Sequence, residues 1–167
     1  MNRLTVDEFK EQKKTPLVVI LDNVRSLHNV GSIFRTADAF LLKAVFLCGI
    51  TSIPPHPEIH KTALGAEDSV DWKYFETALD AVSFLKKNNY SIFAVEQARG
   101  SLSLKDIVLD KTKNYAIVLG NEVKGVQQNI VDICDACVEI PQYGTKHSLN
   151  VSVSGGIVIW DFVKQLM

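Results

Sequence analysis

Short apolar runs alternate with segments of helical periodicity along almost the whole chain. The runs predict strands at residues 17–21, 44–47, 90–95, 115–119 and 136–140, with 69–75 also extended. The periodic segments predict helices at residues 30–41, 58–64, 78–87, 126–133 and 149–166. Asn29 stands where the N-cap of the first helix would lie, the spacing places Leu79 on the inward face of the helix at 78–87, and residues 100–105 are predicted as loop. Because parallel strands need helical crossovers, this alternation predicts an α/β fold whose parallel sheet is covered by helices on both faces.

Composition limits the classes of protein to which this chain can belong. A length of 167 residues predicts one domain, residues 1–167, without a separate RNA-binding extension. The net charge of −1 means that nucleic-acid binding would need a local basic patch or a dimer surface. Three cysteines, a polar N-terminus and the lack of a long apolar run predict a cytoplasmic, reduced protein that does not enter membranes.

Three polar loops follow predicted strands, at residues 22–32, 120–125 and 141–148, and each contains glycine. Loops that follow parallel strands lie at the same edge of the sheet, which is where small ligands bind in open α/β folds. The polar side chains that could therefore converge are Asn29, Arg35, Glu122, Ser148 and Asn150.

Common nucleotide-binding and hydrolase signatures are missing from these loops. Gly120 to Gly125 has the spacing of a phosphate loop, but Val126-Gln127 stands where Lys-Ser/Thr is required. No Gly-x-Gly-x-x-Gly follows the first strand, and no Gly-x-Ser-x-Gly turn occurs. The loops therefore predict neither a nucleoside-triphosphate site nor a standard dinucleotide site.

Three motifs in order resemble those of the SPOUT RNA methyltransferases, in the SpoU/TrmH branch. The first reads Asn-Val-Gly-Ser-Ile-Phe-Arg-Thr-Ala at residues 29–37, and the second reads Ile-Val-Leu-Gly-Asn-Glu-Val-Lys-Gly at 117–125. The third reads Ile-Pro-Gln-Tyr-Gly at 140–144 and continues with Ser-Leu-Asn-Val-Ser at 148–152. The family transfers a methyl group from S-adenosylmethionine to a ribose 2′-hydroxyl of RNA.

The resemblance implies a role for each matching residue. Arg35 would be catalytic, with Asn29 its partner in the substrate site, and Glu122, Ser148 and Asn150 would complete the catalytic set. The implied cofactor residues are Leu119, Gly120, Asn121, Glu122, Gly125, Ile140, Pro141, Ser148, Leu149 and Asn150. The resemblance also implies a C-terminal trefoil knot, a homodimer and no metal.

Arg35 has two possible roles in such a site. A guanidinium group stays protonated in proteins, so it is a donor rather than a base. We favour a role in which Arg35 binds the adjacent phosphate and orients the hydroxyl, with deprotonation secondary. Without the motifs, Arg35 would be interpreted as a solvated helix residue, and Ser148 and Asn150 as helix-capping groups.

Three positions depart from the family pattern. Val123 and Leu41 stand where glycine is common, and Ser154 stands where alanine is common. None of the three removes a polar functional group, although Val123 could reshape the cofactor loop.

Two other functions remain open from the sequence. One is a non-catalytic RNA-binding module that retains the fold. The other is a thiol-redox or zinc protein that uses Cys134 and Cys137, whose Cys-x-x-Cys spacing could be completed by His56 and His60. The spacing matches no zinc finger, which favours small core residues instead.

The substrate would be transfer or ribosomal RNA, and a small enzyme suits the compact transfer RNA better. Arg25, Lys61 and Lys146 are candidate contacts to RNA. The last helix carries too many apolar side chains to face water, so it packs in the core or across a dimer interface. These side chains are Ile157, Val158, Trp160, Val163 and Leu166.

Overall fold

The computed structural model describes residues 3–167, so Met1 and Asn2, at the start of the predicted domain and its polar N-terminus, lie outside the described residues. Seven strands are β1 (Thr15–Asp22), β2 (Leu42–Cys48), β3 (Trp72–Phe75), β4 (Tyr90–Val95), β5 (Leu102–Ser103), β6 (Asn114–Leu119) and β7 (Ala136–Glu139). The α-helices are α1 (Val6–Glu11), α2 (Leu27–Ala39), α3 (Pro57–Ala63), α4 (Ala66–Ser69), α5 (Ala78–Lys87), α6 (Gln128–Ile133) and α7 (Val151–Leu166).

The seven strands form one sheet in the order β3-β2-β1-β6-β4-β7-β5. Every recorded strand pair is parallel. The chain moves outward from β1 through β2 to the edge strand β3. It then returns past β1 to form β4 in the other half of the strand order. The central strands β1 and β6 are therefore neighbours, and their carboxyl ends lie at the same edge.

The central strands are apolar on both sides because helices cover both sides of the sheet. Along β1, Val19 and Leu21 pack in one core cluster, whereas Val18 and Ile20 pack in the other. The first cluster includes residues of α2 and α7, and the second includes residues of α5 and α6. This two-sided burial confirms the predicted fold class and explains why these strands are unbroken apolar runs.

The last helix crosses the sheet closely, and its apolar residues divide between the core and the surface. A Cβ on Gly155 would lie 2.7 Å from the Ile33 side chain and 2.8 Å from the Leu119 side chain, so any larger residue would require these side chains to move. Val158 and Val163 are fully buried in the core, as one of the two interpretations predicts. In contrast, Trp160 remains half exposed.

Helix α2 begins earlier than its apolar spacing predicts. Its first residue is Leu27, and Ser26 is the N-cap, with its hydroxyl accepting the Asn29 N–H at 3.2 Å. The prediction that Asn29 caps this helix is therefore wrong. The Asn29 side chain is directed to a distant loop instead, as described below, and is not available to cap.

Several other boundaries differ from those predicted. Residues 66–69 form α4, so the extended segment predicted at 69–75 is shortened to β3. Residues 100–105, predicted as loop, contain the two-residue β5 and the start of a 3-10 helix (Leu104–Asp106). Helix α7 begins at Val151 rather than at 149, and Leu79 of α5 is exposed although its spacing predicted an inward position.

Within residues 3–167, no helix combines the length and apolar character needed to span a membrane. The trefoil knot implied by the family resemblance stays a prediction. Its test is the path of the chain through the C-terminal loops, rather than the strand order.

Candidate active site

The carboxyl edge of the central strands contains a cavity of about 400 Å³. It lies between the loop that follows β6, residues 120–127 (the β6 loop), and the loop that follows β7, residues 140–150 (the β7 loop). The end of β4 closes a third side. The volume is within the range of about 300–1,000 Å³ that is usual for small-molecule and cofactor sites.

Eight of the ten predicted cofactor residues line this cavity. From β6 and its loop these are Leu119, Gly120, Asn121, Glu122 and Gly125, and from the β7 loop they are Ile140, Ser148 and Leu149. The other two, Pro141 and Asn150, do not line it. That these residues bind the cofactor stays a prediction.

The β6 loop is held in shape by its own hydrogen bonds. Asn121 and Gly125 exchange backbone hydrogen bonds of 3.1 and 2.8 Å, which close the loop on itself. The Asn121 side-chain oxygen accepts the N–H groups of Val123 and Lys124 at 2.9 and 3.0 Å. Its amide nitrogen donates to the Asn23 carbonyl at 2.8 Å, which ties the loop to the end of β1.

Glu122 joins the β6 loop to the start of α2. Its carboxylate accepts the backbone N–H groups of Arg25 and Ser26 at 3.0 and 2.9 Å, and the Asn29 side-chain amide at 3.2 Å. Burial raises the pKa of Glu122, but these donors outweigh burial and hold the pKa below its usual value. Glu122 is therefore an ionised structural acceptor, and its oxygens already have partners.

The five residues predicted to be catalytic are only partly brought together. Glu122 and Ser148 line the cavity, and Asn29, almost fully buried, contacts Glu122. Asn150 is the N-cap of α7, where its side-chain oxygen accepts the N–H groups of residues 152 and 153 at 2.9 and 3.3 Å. The capping interpretation thus describes Asn150, whereas Ser148 makes no hydrogen bond among residues 3–167.

Arg35 lies apart from this cavity. It is exposed on α2 and borders a separate depression with Leu4, Asp38 and Leu64. The predicted convergence therefore does not extend to Arg35 within one copy of the chain. Within one copy of the chain, the Arg35 guanidinium therefore lies outside the cavity.

The departures from the family pattern have local structural consequences. Leu41 adopts a left-handed conformation with φ of 53°, which explains why glycine suits this position. Val123 is 82% exposed, so its side chain does not fill the interior of the β6 loop. Ser154 lines the cavity but donates its hydroxyl to the Val151 carbonyl at 3.0 Å.

The candidate RNA contacts are all on the surface. Arg25 and Lys146 are exposed in loops beside the cavity. Lys61 is exposed on α3 and pairs with Glu58 at 2.6 Å. Contact of these three residues with RNA stays a prediction.

The two cysteines with Cys-x-x-Cys spacing have the properties of core residues. Burial raises the pKa of Cys134 to about 12 and also raises that of Cys137, which disfavours the reactive thiolate. His56 caps α3 by accepting the Glu58 N–H, and His60 contacts Glu67 at 2.6 Å. Residues 3–167 contain no cluster of three or more metal-ligating side chains.

One wall of the cavity, formed by Val95, Glu96 and Gln97, was not predicted from the sequence. Val95 ends β4, a strand that the sequence predicted correctly, and Glu96 and Gln97 follow it. The rule that loops after parallel strands share an edge applies to this loop too. Residues 96–101 lack a family motif, and this is why they were not included.

The chemistry of the cavity fits S-adenosylmethionine. Glu96, Glu122 and Glu139 line it alongside Lys124, and such an excess of carboxylates disfavours a cofactor with several phosphates. S-adenosylmethionine has no phosphate and carries a sulfonium and an ammonium group. Apolar side chains such as Leu119, Ile140 and Leu149 offer surface to its adenine ring.

Comparison with known proteins supports the family resemblance. Residues 16–160 match the sequence model of the SpoU rRNA Methylase family. The chain is 32% identical over 164 residues to the tRNA (guanosine(18)-2′-O)-methyltransferase of Aquifex aeolicus, covering 95% of this chain and 74% of that protein. It is also 32% identical over 166 residues to the 23S rRNA (guanosine-2′-O-)-methyltransferase RlmB of Vibrio parahaemolyticus, covering 99% and 66%.

A solved structure shares the fold as well. The AdoMet-bound rRNA methyltransferase of Sinorhizobium meliloti superimposes with a TM-score of 0.84 at 26% identity, covering 97% of this chain and 60% of that one. The chain thus spans between three fifths and three quarters of the length of these three proteins.

Proposed function

Because this chain belongs to the SpoU rRNA methylase family, we propose that it transfers the methyl group of S-adenosylmethionine to a ribose 2′-hydroxyl of RNA. The observation that carries the proposal is the cavity at the carboxyl edge of the sheet. Eight of the ten predicted cofactor residues, all from the second and third family motifs, line it, and its carboxylates and apolar walls suit this cofactor. When bound, S-adenosylmethionine would supply an electrophilic methyl group, and Ser148 and the β6 loop are among the residues that would hold it.

The chain's own residues would act mainly by positioning. Glu122 and Asn29 fix the start of α2 against the β6 loop, so the two loops keep one relative position. Arg35, as a bidentate donor, would bind the phosphate beside the target ribose and hold the hydroxyl in line. Such positioning removes much of the entropic part of the barrier before the reaction begins.

We propose a homodimer on the basis of an apolar surface beside the cavity. Helix α7 begins at the cavity and exposes Val153, Ile157 and Trp160 by 51%, 40% and 50%. Trp160 contacts Phe40, the C-cap of α2, with ring centroids 5.5 Å apart, so the surface continues to the end of the helix that carries Arg35. Pairing there would bury these side chains and give each cavity access to an arginine from the other copy.

Complementation tests the dimer and the arrangement of its sites. Arg35→Ala and Ser148→Ala variants should each lose most methyl transfer. If each active site combines residues from two copies, mixing the unfolded variants and refolding them together should restore part of the activity. Sedimentation as a monomer, or no restoration in a mixture shown to contain mixed dimers, would contradict the arrangement.

We propose transfer RNA as the substrate in preference to ribosomal RNA. The support is that the chain spans 74% of the Aquifex transfer-RNA enzyme but 66% of the Vibrio ribosomal-RNA enzyme, at equal identity. Arg25 and Lys146 are exposed beside the cavity and could contact a compact, folded RNA.

Calorimetric titration with S-adenosylmethionine, followed by transfer of labelled methyl to RNA from a methylation-deficient host, tests the whole proposal. We expect binding, and label on ribose in the transfer-RNA fraction. Label only in ribosomal RNA would overturn the substrate preference alone. Lack of cofactor binding would overturn the proposed activity.

A further inference from the structure

We propose that Glu96, at the carboxyl end of β4, is a positioning residue that fixes the wall of the cofactor cavity before the cofactor binds. This inference rests on the proposed function, because it assigns the cavity to S-adenosylmethionine. Glu96 lies outside the three family motifs. Its role follows from contacts that join three strand ends.

Both oxygens of the Glu96 carboxylate accept backbone N–H groups. Oε2 accepts the Val126 N–H at 2.9 Å, and Oε1 accepts the Gln97 N–H at 2.9 Å. Val126 belongs to the β6 loop, which forms the adjoining wall of the cavity. A charged acceptor strengthens such bonds, so the carboxylate holds the β6 loop against the end of β4.

The main chain of Glu96 is fixed by β7. Its N–H donates to the Val138 carbonyl at 3.0 Å, and its carbonyl accepts the Cys137 thiol at 3.2 Å. One residue therefore connects the ends of β4 and β7 with the loop after β6. All three segments contribute lining to the cavity, so their relative positions set its shape.

Gly125 shows how closely the β6 loop packs on this carboxylate. Its φ is +68°, and a Cβ at this position would lie 2.0 Å from the Glu96 Oε2. The loop therefore needs glycine for two reasons, which are its backbone conformation and the space occupied by the Glu96 side chain. The fit is between a main chain and a carboxylate.

Glu139 provides a contrast within the same cavity. It also lines the cavity, but its carboxylate makes no hydrogen bond among residues 3–167. A carboxylate that recognises the positive sulfonium should distinguish S-adenosylmethionine from the neutral product S-adenosylhomocysteine. A carboxylate that only shapes the wall should affect both ligands alike.

Calorimetry with both ligands on three variants separates these roles. We expect Glu96→Ala to weaken binding of S-adenosylmethionine and S-adenosylhomocysteine by similar factors of about tenfold or more, since two charge-assisted bonds are lost. Glu96→Gln, which keeps the shape and one acceptor, should fall between Glu96→Ala and the unaltered protein. Glu76→Gln, a control at an exposed carboxylate outside the cavity, should change binding of both ligands by less than about twofold.

Two results in this experiment would overturn the proposal. One is unchanged affinity for both ligands in Glu96→Ala. The other is weaker binding of S-adenosylmethionine alone, which would make Glu96 a direct charge contact.

Amide hydrogen exchange of the ligand-free protein tests the same role without the cofactor. We expect faster exchange at Val126 in Glu96→Ala and Glu96→Gln than in the unaltered protein, with Ile117 and Val118 of β6 unchanged. Unchanged exchange at Val126 would overturn the positioning role. If the unaltered protein bound neither ligand, the proposed function would fail, and this exchange result would still decide the role of Glu96.

Discussion

The two loops that face each other across the cavity are built differently. The β6 loop is held by the Asn121–Gly125 pair, by Glu122 on the start of α2 and by Glu96 on Val126. Within residues 3–167, the β7 loop makes no hydrogen bond from 142 to 149, and residues 143–150 are all exposed. One wall is therefore fixed by hydrogen bonds within the fold, whereas the other is not, and we expect a ligand or partner to supply its contacts.

This difference separates two kinds of motif residue. In the β6 loop, the motif residues Asn121 and Glu122 maintain the conformation of the loop, because their side-chain oxygens accept backbone N–H groups. In the β7 loop, Ser148 and Leu149 line the cavity without such partners. We therefore expect substitutions in the first loop to change stability and substitutions in the second to change binding.

The largest expected effect comes from removing the carboxylate of Glu122. Glu122→Ala removes an acceptor from three donors, and we expect unfolding free energy to fall by about 2–4 kcal/mol. Because the folded-state pKa of Glu122 is lowered, its contribution is present above its usual pKa of 4.5 and is lost as the pH falls through the lowered value. Urea unfolding at pH 7 and at lower pH measures both effects.

Glu139→Ala is the matched control for that substitution, since Glu139 lines the same cavity without a recorded side-chain hydrogen bond. We expect its unfolding free energy to change by less than about 0.5 kcal/mol. Equal losses in the two variants would show that Glu122 does not fix the β6 loop.

A smaller effect separates Asn150 from Ser148 within one motif. Asn150→Ala removes the N-cap of α7 and should lower unfolding free energy by about 1 kcal/mol, whereas Asn150→Ser should retain most of it. Ser148→Ala should leave stability within about 0.5 kcal/mol and weaken methyl transfer. Thermal unfolding together with methyl-transfer rates measures both, and a destabilised Ser148→Ala variant would contradict the distinction.

Asp22, a buried carboxyl group next to the β6 loop, provides a test of the effect of pH on stability. It is almost fully buried at the end of β1, and burial raises its pKa although the Gln127 N–H opposes the shift. Because the folded-state pKa is raised, the contribution of Asp22 to the free energy of unfolding is most favourable below its usual pKa of 3.8. This contribution is lost as the pH rises through the raised value. Asp22→Asn cannot ionise, so its stability relative to the unaltered protein should increase with pH across that window.

Denaturant unfolding over a pH series measures this difference. Asparagine keeps a carbonyl oxygen that can accept the Gln127 N–H, so the two proteins differ mainly in charge. A stability difference that is constant from pH 3 to pH 8 would contradict the assigned direction.

The smallest effect is expected at Val123, the position where the family commonly has glycine. Its side chain is 82% exposed, and its N–H already donates to Asn121. Val123→Gly should therefore change unfolding free energy by less than about 1 kcal/mol and leave cofactor affinity within about twofold. A large gain in affinity on calorimetry would show that Val123 distorts the β6 loop.

The sequence predicted the central strands well because their burial on both faces leaves long apolar runs. It could not predict β5, since two residues carry no periodicity and the partner strand β7 is more than 30 residues away. It misplaced the cap of α2 because the Asn29 side chain contacts Glu122, 93 residues along the chain. Local patterns cannot reveal such a distant partner.

The residues of the site could be predicted where they belong to a sequence motif. They could not be predicted where only the order of the strands brings them to the cavity. Most of the residues from the second and third motifs line one cavity, yet Glu96, which joins its walls, belongs to no motif. Arg35 was expected to converge with the others, but α2 directs it to a separate depression. The proposed dimer would bring it to the cavity of the other copy, and a single sequence does not reveal such an arrangement.

Amide hydrogen exchange with and without S-adenosylmethionine tests most directly the claim that the cavity has one fixed wall and one unfixed wall. We predict that residues 121–126 are protected before the cofactor is added and change little afterwards. Residues 142–149 should exchange rapidly in the ligand-free protein and become protected on binding. Equal protection of the two loops without the cofactor, or protection gained by the β6 loop alone, would contradict this account.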